Sequence, residues 1–134
     1  DELEILIDNS PTVHIPLFRG TVDKSLLDLK EGDEFPMNKV NSFSSSEDTA
    51  GSFILNKIRS LEDKPIMIAI NTPCKALNIQ PLSYYSNEDE YFVGKGYKVE
   101  KIEDREIERR QGRYITISFT KEIKDDWWRK RKKN

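Results

Sequence analysis

The sequence predicts an α+β domain: one helix followed by many short strands, in one or two mostly antiparallel sheets. Three observations carry that reading. One segment, residues 46–61, has helical apolar spacing. One run, PIMIAIN at 65–71, is apolar at nearly every position, as a buried strand is. After it come four runs of strand length: KALNIQ, EDEYFV, YKVEKI and RYITISFT.

The elements before residue 65 follow from the same rules. VHIPLFRG (13–20) alternates apolar residues and ends in glycine, as a strand entering a turn does. KSLLDLKEGDEF (24–35) reads as a short helical turn closed by Gly32. VNSFSSS (40–46) is a strand. The helix follows, with Ala50, Phe53, Ile54, Ile58 and Leu61 at helical spacing and Ser45 or Ser46 as its cap.

A chain of 134 residues forms one domain, 1–134, with one modest core. Hydrophobic residues make up 36% and charged residues 34%, so the chain reads as a soluble, polar globular protein. No apolar run approaches the roughly 20 residues of a membrane span, and no signal-peptide pattern opens the sequence. The chain opens on Asp1 rather than Met, so an upstream segment is expected. One cysteine, Cys74, rules out an internal disulfide and fits a reducing compartment. One His and one Cys exclude a thiolate or histidine-rich zinc site, and no metal is expected. His14, the one residue through which Ser–His or Cys–His catalysis would run, has no motif around it.

The net charge of −2 is unevenly spread. Residues 127–134, WWRKRKKN, carry five positive charges and leave −7 for the remainder. Such a tail reads as a solvated, frayed terminus or as a contact for phosphate backbones or acidic surfaces. Trp127 and Trp128 read as anchors for that terminus.

Chemistry is suggested by SNEDEY at 86–91. On a strand, Glu88 and Glu90 share one face, about 7 Å apart, and Asp89 takes the other. Glycosyl chemistry uses such a pair, because the sugar carbon becomes oxocarbenium-like in the transition state. Alone, an E-x-E is more often the wet face of a strand. Two upstream features change its weight. Arg19 ends a strand just before Gly20; its planar fork suits phosphate, and glycine lets a ligand approach the backbone. Ser42 and Ser44 share a strand face, and their hydroxyls can hold an arginine or a polar ligand edge. The plainer alternatives are a surface ion pair for Arg19 and a cap or turn for the serines.

An arginine on a first strand, S-x-S entering a helix, and E-x-E on a late strand, in that order, resemble the R-S-E class of mono-ADP-ribosyltransferases. The resemblance runs from residue 13 to about 120. It includes Ala50 and Phe53 after SFSSS, Ser83 before the glutamates, and Gly96, Tyr97 and Val99 after them. LFRGTVDKSLLDLKEGDEFPMNKVNSFSSSEDTAGSF is most similar to the Mod and Alt enzymes of T-even bacteriophages; secreted bacterial toxins of the class come next. Phe43 stands where the class has a threonine. Ser44-Ser45-Ser46 is the other register for the motif, but Ser42 and Ser44 restore the spacing to Ala50.

The resemblance implies a split β-sandwich of mostly antiparallel strands, with NAD as cosubstrate in its cleft. It implies transfer of ADP-ribose to a protein side chain, arginine above all, with release of nicotinamide. The acceptor would belong to a host's transcription or translation machinery, in the cytoplasm of an infected or target cell, with no membrane involved. Glu90 would be the catalytic carboxylate and Glu88 would orient the acceptor. Arg19, Gly20, Ser42 and Ser44 would hold NAD and the geometry around it. Phe53 would stack on nicotinamide or, by its spacing with Ala50, lie in the core. Tyr85, or else Tyr84, would recognise the protein target. A module binding nucleic acid or the ribosome through the basic tail is the non-enzymatic alternative.

Overall fold

The structure, a computed structural model, describes residues 2–37, 40–79 and 90–120. In chain order its elements are helix α1 (Glu2–Asp8), strands β1 (Thr12–Val13) and β2 (Leu17–Thr21), a 3-10 turn (Lys24–Asp28), β3 (Asn41–Ser44) and helix α2 (Glu47–Lys57). Then come β4 (Ile66–Asn71), β5 (Cys74–Lys75), β6 (Leu77–Asn78), β7 (Glu90–Val93), β8 (Tyr97–Ile107) and β9 (Arg110–Phe119). Seven strands form one sheet in the order β6-β7-β3-β2-β4-β9-β8, and β1 pairs with β5 apart from it. Every pairing is antiparallel except β4 with β9.

Strand β4 explains the architecture. Ile66, Met67, Ile68, Ala69 and Ile70 are all buried, so both faces of the strand need cover. The three isoleucines enter the main core with Leu17, Phe43, Val93, Val99, Ile115 and Ile117. Met67 lies on the opposite face, in a smaller cluster with Ala50 and Ile54 of α2 and Ile107 of β8. Helix α2 thus roofs the sheet at its centre. Its start is fixed by Ser46, whose Oγ accepts from the Thr49 amide at 3.2 Å. Glu47 and Asp48 in its first turn and Lys57 in its last complement the helix dipole.

Two contacts seat α2. Gly20 faces it so closely that a Cβ there would lie 2.1 Å from the Ala50 carbonyl oxygen. The hairpin between β8 and β9 leans on its other side. Its tip, Glu108-Arg109, has φ of 50° and 65°, and the Glu108 carboxylate lies over Gly51. Arg105 stacks 3.6 Å above the Tyr114 ring, whose hydroxyl is engaged by Glu47 of α2.

Several sequence-based boundaries shift. The strand expected over 13–20 is two strands, because Pro16 lacks the N–H a continuous ladder needs. KALNIQ is likewise split at Ala76. Helix α2 ends at Lys57, so Ile58 only caps it and Leu61 stands 93% exposed. Strand β8 runs to Ile107 rather than stopping near Ile102. Helix α1 was not expected. It is anchored by Ile7, while Ile5 and Leu6 stay exposed.

Candidate active site

The register between β3 and β7 places the chemistry. Ser44 lies opposite Glu90 and Ser42 opposite Phe92, so both serines and the carboxylate share one face. Phe43 and Tyr91 turn the other way into the core. On the shared face, the Ser42 hydroxyl donates to Glu90 Oε2. Ser44, buried, uses its Oγ to accept from the Ser46 amide at 2.9 Å, and Ser46 in turn caps α2. The serines therefore divide the labour. Ser42 touches the carboxylate, and Ser44 and Ser46 make the strand-to-helix corner.

Arg19 comes from β2, the next strand in the sheet. Its Nη1 donates to the Ser42 carbonyl at 3.0 Å. Burial lowers the pKa of this guanidinium. A second cation, Lys57, arrives from the last turn of α2 and donates from Nζ to the Gly20 carbonyl at 3.0 Å. Its pKa is lowered by burial and then by the charge of Arg19. Among the described residues, neither cation forms an ion pair with a carboxylate. Arg19, Gly20, Ser42, Ser44, Phe53, Lys57 and Glu90, with Phe18 and Phe43, line a single cavity of about 330 Å³.

Six sequence-predicted site residues thus meet at one place: Arg19, Gly20, Ser42, Ser44, Phe53 and Glu90. Phe53 is 52% exposed on the cavity wall, which corrects the reading that its spacing with Ala50 puts it in the core. Gly20 is glycine for a reason the sequence did not suggest: helix α2 occupies the space of a side chain. Glu88, Tyr84, Tyr85 and the basic tail lie outside the described residues. Lys57 was missed. A lysine in a last helical turn is the ordinary partner of a helix dipole, and nothing nearby in sequence marks it as part of a cavity.

Among the described residues, no group of three or more His, Cys, Asp or Glu could hold a metal ion, and no helix is long and apolar enough to cross a membrane.

No protein-family model matches the chain, and no curated protein sequence does. Solved structures do. The toxin Vis from Vibrio splendidus, in complex with the M6 inhibitor, superposes with a TM-score of 0.68 at 24% identity, over 89% of this chain and 54% of Vis. The chain has the fold of the ADP-ribosyltransferases. Vis with agmatine gives a TM-score of 0.65 at 22% identity, over 89% of this chain and 55% of that one. An ADP-ribosyltransferase from Clostridium botulinum gives 0.53 at 15% identity, over 84% of this chain and 62% of that one. This chain therefore spans a little over half the length of these three structures.

Proposed function

We propose that the chain is an NAD-dependent mono-ADP-ribosyltransferase acting on a protein side chain, arginine first among the candidates. One observation carries the reading: on an ADP-ribosyltransferase fold, a serine-held carboxylate, Ser42 to Glu90, shares a cavity with a half-buried arginine that has no acidic partner among the described residues.

The lining fits a dinucleotide. Arg19 offers donors to phosphate, and Lys57 adds positive charge to the cavity. Phe53 offers an apolar ring face at the wall, and Gly20 and Ser42 bring backbone to the surface of the cavity. NAD, when bound, supplies the ADP-ribosyl group and a nicotinamide leaving group. The chain's part is to hold and to polarise. Ser42 fixes Oε2 of Glu90, while Oε1 takes no hydrogen bond from any described residue and can accept from a sugar hydroxyl. The Glu90 charge also faces positive charge developing at the sugar, at no reorganisation cost because Ser42 has already fixed its direction. Arg19, braced on the Ser42 carbonyl, supplies cationic donors from the opposite strand.

Arginine as acceptor rests on two supports. In the class that the sequence resembles, a first glutamate such as Glu88 accompanies arginine acceptors. In addition, Vis has been solved with agmatine, a molecule that ends in a guanidinium as arginine does. The phage-enzyme resemblance supports an acceptor among host transcription or translation proteins, and the toxin neighbours support a protein of an invaded cell. Residues 129–133 would guide the enzyme to an acceptor bound to nucleic acid.

The test is incubation with labelled NAD and a bacterial lysate, beside Glu90→Gln. Label on protein with the unmodified enzyme alone is the expected result. Glu90-dependent release of nicotinamide without label retains the chemistry and discards the acceptor. A folded protein that neither binds NAD nor releases nicotinamide overturns the reading. Glu88→Gln should lower transfer to protein more than hydrolysis of NAD; equal loss would end its acceptor role.

A further inference from the structure

Strands β2 and β3 meet as an antiparallel pair at Phe18 and Ser44. Along such a pair one strand advances as the other retreats, so the same register sets Gly20 opposite Ser42 two residues on. The ladder does not continue there. Yet β2 goes on pairing with β4 through Thr21, and β3 goes on pairing with β7 back to Asn41. Both strands are still regular where they part. Only their mutual ladder ends, and the cavity opens in that gap, with Gly20 and Ser42 both on its wall.

Parting exposes backbone groups that a closed sheet would pair, and a half-buried carbonyl without a donor is costly. The carbonyls of these same two residues each accept from a cation. Ser42 accepts from Arg19, and Gly20 from Lys57, both at 3.0 Å. Without Lys57, the nearest alternative for this stretch of β2 is the pairing with Ser42 that the register already prescribes.

We infer that Lys57 is a positioning residue that keeps β2 and β3 apart, by holding the Gly20 carbonyl out of the ladder it would otherwise form with Ser42. Its effect on NAD rests on the proposed reaction; its effect on the sheet does not. Closing the gap would bring the two strands together across the cavity and narrow the space between Arg19 and Glu90.

The test uses the whole chain. Lys57→Met keeps the apolar stem but cannot donate, and Lys57→Arg restores donors and charge. Proton–proton contacts between Gly20 and Ser42, read by nuclear magnetic resonance without ligand, report whether the ladder has closed. They should be absent in the unmodified protein, present in Lys57→Met and absent again in Lys57→Arg. The KM for NAD should rise about tenfold in Lys57→Met, the loss of one hydrogen bond from a charged donor, with kcat changed far less. Lys57→Leu, which also lacks a donor, serves the same purpose should the methionine variant not fold. A folded Lys57→Met with no such contacts overturns the inference, and a raised KM without them assigns Lys57 to direct contact with ligand. An unmodified protein without any NAD turnover overturns the proposed reaction instead, and the contacts alone then decide the role of Lys57.

Discussion

The β4–β9 pair and the β2–β3 pair are built on opposite plans. β4 and β9 share six consecutive partners, from Ile66–Arg113 to Asn71–Ser118, and bury isoleucines at 66, 68, 70, 115 and 117. β2 and β3 share one partner and open at once into a cavity lined by two cations and a carboxylate. The first region gains from burial and carries no charge in its core positions. The second keeps desolvated charges and interrupts a ladder, both of which oppose folding. The spine thus supplies stability that offsets the cost of the mouth, as expected when a site needs charged groups held in place.

Substitutions can separate the two plans. The largest effect should come from Glu90→Gln. Transfer should fall at least about 10³-fold, the upper range for one preorganised electrostatic group, while the urea midpoint stays put. A folded variant with full activity would sink the catalytic assignment. Next, Ile68→Ala should destabilise the spine by about 2–5 kcal/mol in urea unfolding. Its kcat/KM, measured on folded protein, should not move; a large loss there would mean that the two regions are not separable. Ser42→Ala should lower transfer about 10- to 100-fold by freeing the Glu90 carboxylate, with a small effect on unfolding.

The smallest effect is confined to alkaline pH, where the regions should differ in sign. In the core, burial raises the Cys74 thiol from 9.0 to about 11, although a hydrogen bond with Tyr97 pulls the other way. The unfolded thiol then ionises first, so this contribution is intact below pH 9 and is lost as pH rises from 9 to about 11. In the mouth, the depressed Lys57 value means that the unfolded chain holds the extra proton. Stability from this group therefore rises as pH climbs from that value towards 10.5. Urea midpoints between about pH 8 and 11 for Cys74→Val and Lys57→Met should lose these two slopes separately.

Much of this was legible in the chain. PIMIAIN announced a buried strand because covering both faces demands an apolar residue at every position. Ser46 was one of two caps offered by a serine run, and Arg19, Ser42 and Glu90 each sat on a readable strand. What escaped the sequence was tertiary. Lys57 and Phe53 face the cavity only because α2 lies against Gly20, on a strand far earlier in the chain. The β8–β9 hairpin was hidden because its tip is Glu108-Arg109, and positive φ there is normally announced by glycine or asparagine. The long charged strand KVEKIEDREI lacks apolar alternation over its second half, where it is mostly exposed. Helix α1 buries one residue, too few to leave a period.

The parallel pairing of β4 with β9 bears on how the protein is made. Strand β9 at 110–119 lies inside the sheet, between β4 and β8, and its partner β4 ends at residue 71. During synthesis, β4 leaves the ribosome long before β9 exists, with one edge unpaired and its isoleucines uncovered. Such a chain has few local contacts to reward it and is prone to stick. Arg19 and Ser42 have emerged by then, but the sheet beneath them has no central joint. The proposed transferase activity should therefore appear abruptly, once residue 119 has cleared the exit tunnel, and a nascent chain stalled earlier should lack it.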